Sequence, residues 1–286
     1  MARIRRWLKI SGITLVVTVA LGGAILYFGT ELMLRRHYDV PLSSFAASTD
    51  ASSAARGRHL ATILGCYKQC HGVSMKGFEI GAPYIGHINA PNLTRVVHEY
   101  SDPELERLLR RGIKRDGTSV LLMPSQMFAH LSDTDLGAVI AFVRSAPPIE
   151  GGVMRGRTLW PLARLGILSG RFQTAADLVD RTASAPAEVD LSDRMELGRY
   201  LAAIACTECH GEDLRGVAGG TPSLAIAAAY DDPAFAKLLR TGVPLGDRVL
   251  GLMKETSVGR FVDFGDDEIA ALRAYLASLA APPPTG

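Results

Sequence analysis

"GCYKQCHG" (Gly65–Gly72) and "ACTECHG" (Ala205–Gly211) hold all four cysteines of a 286-residue chain. In each, a histidine follows the second cysteine directly. Cys206, Cys209 and His210 have the spacing Cys-x-x-Cys-His, which reads as covalent attachment of haem. In the first stretch Tyr67, Lys68 and Gln69 lengthen the spacing by one residue, to Cys66-x-x-x-Cys70-His71. A disulfide or a zinc pair would use the same residue types. Zinc prefers two close ligand pairs, and 136 residues separate Cys70 from Cys206. A Cys66–Cys70 disulfide stays open in an exported chain.

The surroundings of the two stretches match. "GRHLATILGC" precedes the first and "GRYLAAIAC" the second; "SDPELERLLRRGI" follows the first and "DDPAFAKLLRTGV" the second. Pro103 pairs with Pro233, Gly112 with Gly242 and Met123 with Met253, all at an offset of 130. "LSDTDLGAVIAFVRS" then matches "FGDDEIAALRAYLAS". One unit of about a hundred residues is used twice, the size of a small domain. Leu105, Leu108 and Leu109, and Leu136, Val139, Ile140 and Val143, recur at helical spacing, and Asp102–Pro103 and Ser132–Asp133 are helix-start signals. No stretch shows convincing strand alternation. The fold expected is all-α: an N-terminal anchor with its flanks (1–40), a first domain (41–150), a connector (151–190) with an apolar helical piece near Leu159–Leu168, and a second domain (191–286). The Pro-rich tail 281–286 reads as loose.

Arg3, Arg5, Arg6 and Lys9 precede a charge-free run from Ile10 to Thr30. As a helix such a run reaches about 30 Å, the hydrocarbon thickness of a bilayer. A cleaved signal peptide would have a shorter apolar core followed by a small-x-small site. Residues 10–30 are therefore expected to cross the bilayer, with Tyr27–Phe28 at the far interface and the basic end in the cytoplasm. That places the haem domains on the periplasmic side of the cell inner membrane. Net charge is +2, but unevenly spread: residues 41–176 carry 15 basic and 10 acidic side chains, and residues 177–286 carry 10 and 17. No basic run with interleaved aromatics indicates nucleic acid.

Two thioether bonds hold a c-type haem, the adjacent histidine reaches the iron from the same face, and a distant residue must supply the opposite ligand. Methionine there is the electron-transfer pairing. Met123 and Met253 stand 52 and 43 residues after His71 and His210, in what read as loops before the last helix of each unit. Met127, His59, His87, His98 and His130 are weaker candidates, each without a counterpart of the same type in the second unit.

Both units resemble class I cytochrome c domains of the kind joined in membrane-anchored dihaem cytochromes. "APNLT" (Ala90–Thr94), "RRGIKRDGTSVLLMPSQMFAHLSDTDLGAVIAFVRS" and "LGLMKETSVGRF" carry the resemblance, which covers residues 50–148 and 190–280. It implies two covalently attached haem c groups, on Cys66 and Cys70 with His71 and on Cys206 and Cys209 with His210. In the family's pattern the methionine of "MPS" is the distal ligand, which maps onto Met123, and the repeat carries that role to Met253. Pro91 and Pro222 would shape the pocket walls.

The function this implies is transfer of single electrons between a membrane-bound redox complex and a soluble, cationic carrier such as a cytochrome. The acidic second domain would dock that carrier, with Asp266, Asp267 and Glu268 as candidate contacts. Methionine on both irons leaves no open position and argues against catalysis. The rivals are a dihaem peroxidase with an open site at the irregular first haem, and an electron-conducting subunit of an oxidase or dehydrogenase.

Overall fold

The computed structural model describes residues 2–280 apart from Thr49, Thr182, Ser184 and Asp247; the Pro-rich tail 281–286 lies outside the described residues. The chain is mainly helical. Helix α1 (Ala2–Leu34) is long and apolar enough to cross a membrane, with a mean hydropathy of 2.0 over its most apolar stretch and no burial there against the rest of the protein. It runs past the charge-free segment, and its last turn packs Leu34 against Leu159, Ala163 and Ile167.

Each repeat is built on a crossing of its first and last helices. In the first, α2 (Ala51–Ile63) packs on α6 (Asp133–Ser145), and between them stand α3 (Leu93–Val96), α4 (Asp102–Arg111) and α5 (Ser125–Phe128). In the second, α9 (Arg194–Ala205) packs on α13 (Asp266–Ser278), with α10 (Thr207–His210), α11 (Asp232–Thr241) and α12 (Gly251–Gly259) between them. One glycine makes each crossing possible. A Cβ at Gly57 would overlap the Ala138 carbonyl and press on Phe142; one at Gly198 would overlap the Ala271 carbonyl and press on Tyr275. The sequence supplies the helix ends. Ser101 and Asp231 stand before Pro103 and Pro233 in the first turns, and Gly112 and Gly242 close α4 and α11 with φ of 67° and 68°.

Beyond the helices there is a small antiparallel sheet, contrary to the strand-free expectation. β1 (Phe78–Ala82) pairs with β2 (Gly86–Ala90), and β2 pairs with β3 (Arg157–Leu159). Both faces of β1 are largely exposed, so nothing forces the alternation that a half-buried strand would show. β3 belongs to the connector, as do α7 (Pro161–Leu168) and α8 (Ala175–Leu178). The connector thus binds to the first repeat and to α1. Tyr38 donates to Asp177 (2.9 Å), and Arg164 donates to Thr30 Oγ1 (2.6 Å) while lying 4.4 Å over the Tyr27 ring.

The two repeats share one continuous core and meet through quasi-equivalent contacts. His59 Nε2 lies 2.9 Å from Glu268, and Tyr200 donates to Asp135 at 2.8 Å. His59 and Tyr200 occupy the same place in the repeat, as do Asp135 and Glu268. Each first helix therefore reaches the opening turn of the other repeat's last helix, the exchange expected of a two-fold interface.

Candidate haem-attachment site

Cys206 ends α9, and α10 turns once to bring His210 back over it, with His210 N–H donating to the Cys206 carbonyl at 2.9 Å. The first repeat makes the same closure with one residue more. His71 N–H donates to the Cys66 carbonyl at 3.2 Å, and Cys70 N–H to the Gly65 carbonyl at 2.9 Å. The extra residue is taken up in a π-type turn, Cys66–Cys70, in which Lys68 adopts φ 71° and ψ −33°. Such a bulge is a known way for a helix to absorb an insertion. No disulfide joins the cysteines. Burial, with a lesser contribution from the neighbouring cysteine, pushes the Cys66 and Cys206 thiols up to about 12.

Both histidines are held in one way. His71 Nδ1 lies 2.8 Å from the Pro91 carbonyl, and His210 Nδ1 lies 2.9 Å from the Pro222 carbonyl. The Nδ1–H donor leaves the Nε2 lone pair for a metal. Burial lowers both imidazole pKa values, against the opposing pull of these bonds, and so favours the neutral, ligating form. The loop after each histidine repeats as well. Gly77 N–H donates to the His71 carbonyl at 3.1 Å and Gly216 N–H to the His210 carbonyl at 2.9 Å. A Cβ at Gly77 would strike the Ala90 carbonyl and Pro91, and one at Gly216 the Thr221 carbonyl and Pro222. Glycine is thus what lets the proline carbonyl reach the imidazole. Pro91 and Pro222 do more than shape a wall: they supply the acceptor that orients each ring.

Met123 precedes α5 and is half-buried against the core. Met253 is also half-buried, but it lies inside α12 rather than in the expected loop. Met127 is fully buried in the core, and its repeat counterpart is Ser257. Ser257 Oγ and Gln126 Oε1 are buried without a hydrogen-bond partner, within four residues of Met253 and Met123 respectively. Buried orphan polar atoms call for a group the polypeptide does not supply. Paired cysteines in one turn, imidazoles oriented through Nδ1, methionines at equivalent places and these orphan atoms fit a covalently attached haem.

The remaining histidines are engaged elsewhere or displayed to solvent. His59 pairs with Glu268, His87 lies 3.0 Å from Glu79, His130 lies 2.8 Å from Glu212, and His98 is exposed. The acids at the start of α13 also have structural partners. Asp266 pairs with Arg240, and Glu268 faces His59 while accepting from Gly265 N–H at 2.9 Å. Of the three candidate docking acids, Asp266 and Asp267 are exposed, and Glu268 alone is drawn into the interface.

Arg260 has no arginine at the matching place in the first repeat and was not legible in the sequence. Its Nε donates to Gln69, between Cys66 and Cys70, and its Nη1 donates to Glu208, between Cys206 and Cys209, at 3.0 Å. One guanidinium thus spans both attachment turns. Lys68 Nζ reaches Asp263 at 2.8 Å, and His130 reaches Glu212 beside the second turn. The turns therefore face each other across the interface between the repeats.

Two helical units, each presenting a paired-thiol turn and a carbonyl-anchored histidine, define a protein class: covalent haem carriers of the electron-transfer kind. The chain belongs to the cytochrome c family, whose profile matches residues 54–147 and 195–280. It is 28% identical over 284 residues to the cytochrome c subunit of a quinone alcohol dehydrogenase of Gluconobacter oxydans, covering 84% of this chain and 58% of that protein. The corresponding subunit of Gluconacetobacter polyoxogenes is 25% identical, with 85% and 60% covered. The fructose dehydrogenase cytochrome subunit of Gluconobacter japonicus is 25% identical, with 86% and 56% covered. The chain spans about three-fifths of the length of these relatives. It is a membrane-anchored cytochrome c with two domains, binds haem c covalently and transfers electrons.

Proposed function

We propose that this chain is a two-haem electron-conducting subunit or partner of a membrane-bound dehydrogenase. It would take electrons from that complex and pass them to a soluble, cationic carrier in the periplasm, with α1 in the inner membrane. Cys66, Cys70, His71 and Met123 would hold one haem, and Cys206, Cys209, His210 and Met253 the other. The bound groups supply the one-electron redox change; the chain orients the imidazoles, excludes water and presents docking surfaces. The observation that carries this reading is the Arg260 bridge, because two attachment turns bordering one interface support a route between the bound groups. The first repeat is joined to the anchor through α7 and Tyr38, which suits it to face the membrane complex. The second repeat belongs to the acidic part of the chain, which suits it to a cationic carrier. The named relatives are cytochrome subunits of dehydrogenases, which supports a dehydrogenase as the partner.

The test is purification of the tagged full chain from its own membranes in mild detergent. A co-purified dehydrogenase whose substrate reduces both haems is expected. A chain isolated without such a partner, with haems that no co-purified substrate oxidation can reduce, would overturn the proposal.

A further inference from the structure

We infer that α7, with the β1–β2 turn beside it, rests on the outer leaflet of the bilayer and forms a second membrane contact besides α1. The inference rests on the reading of α1 as a membrane span. Its first support is depth. α7 is fixed to the end of the charge-free run: Arg164 binds Thr30 Oγ1 and Glu31, and a Cβ at Gly29 would sit 3.2 Å from Leu168 Cδ2. An element lying beside residues 27–31 of a spanning helix lies at the level where the hydrocarbon ends. The second support is the face it presents. Ala163 and Ile167 are buried toward α1 and Leu34, whereas Leu162 (59% exposed) and Leu165 (56%), one turn apart, point away from the core. Trp160 (43%) stands at the start of the helix and Tyr84 (71%) at the hairpin turn. The two are tied together, because Trp160 N–H donates to the Ile85 carbonyl at 3.0 Å. Phe28 on α1 is exposed as well (68%). Tryptophan and tyrosine at the rim and leucine on the inner face are the composition of an interfacial helix. The side chains of Arg35 and Arg36 follow immediately and are exposed, at the height of lipid phosphates. Two contacts with the bilayer fix the tilt of the haem domains over its surface, which the span by itself would leave free.

Spin labels on the full-length haem-loaded chain in phosphatidylcholine–phosphatidylglycerol vesicles test this. Leu162→Cys and Leu165→Cys are the test sites, Val19→Cys is the mid-span control, and Val249→Cys is the aqueous control. The signal from the unsubstituted chain is subtracted. At 162 and 165 the ratio of oxygen to aqueous-nickel collision rates should exceed that at 249 several-fold and approach that at 19. Ratios at 162 and 165 equal to that at 249, with 19 in lipid, overturn the inference. Shielding that appears in native membranes but is missing in these vesicles also overturns it, in favour of a protein partner. A mid-span label that reads as aqueous instead refutes the anchor itself.

Discussion

At the first attachment turn, one residue decides how an irregular motif can do the work of a regular one. Lys68 takes a backbone conformation that side chains rarely adopt, and the turn closes on the Cys66 carbonyl through a longer ring of atoms. The cost of such a conformation is on the order of 1–3 kcal/mol. Deleting Lys68 would restore Cys-x-x-Cys-His. The deletion variant should keep its first haem, as counted in the denatured protein; loss of that haem would show that the bulge itself is required. Replacing Met253 by His should lower the potential of one haem and leave the other in place, because imidazole favours ferric iron more than thioether does. A redox titration that shows two unshifted waves would remove Met253 from the ligand set. The cysteine, histidine and methionine candidates stood out because matching sequence surrounds them in both repeats. The proline carbonyls were named only as pocket walls, since a main-chain acceptor leaves no side-chain signature. Arg260 was missed because its partners lie on two distant segments and its repeat counterpart is of another type.

Among the elements, the crossing of first and last helices is the part of each repeat least tolerant of change. Gly198→Val would drive a branched side chain into the Ala271 carbonyl and the Tyr275 Cβ, both on α13. Overpacking against backbone should cost on the order of 1–3 kcal/mol, seen as a lowered denaturation midpoint. An unchanged midpoint would mean that α9 and α13 are free to separate. Helical periodicity, caps and prolines made the long helices legible. The sheet was not, because β1 is short and exposed on both faces and β3 has three residues. Helix α1 also extends beyond the charge-free run read from the sequence. Glu31 marks the end of the charge-free run, but the helix continues because Arg164, Arg157 and Leu34 hold it to the connector.

On the scale of the whole molecule, the domain interface couples charge to architecture. The Glu268 carboxyl is partly desolvated, which raises its pKa, but His59, Gly265 N–H and Arg56 together hold it below the usual value. A carboxyl with a lowered folded pKa adds stability above its unfolded pKa, and that stability is lost as pH falls through the folded value. The interface should therefore loosen on acidification below the ordinary carboxylate range, and Glu268→Gln should flatten that dependence. His59→Ala should cost roughly 1–3 kcal/mol at neutral pH, since it leaves a half-buried carboxylate without its partner. Denaturant titrations of the wild type and both variants across the acid range would show it. Arg260→Leu removes a cation from between the attachment turns and should lower haem potentials by an amount on the order of tens of millivolts at an effective dielectric of about 20. The central claim is that both turns, regular and irregular, hold haem. The mass of the denatured full chain after acid–acetone extraction tests it most directly. The account predicts the polypeptide plus two haems; a mass with one haem or none would contradict it.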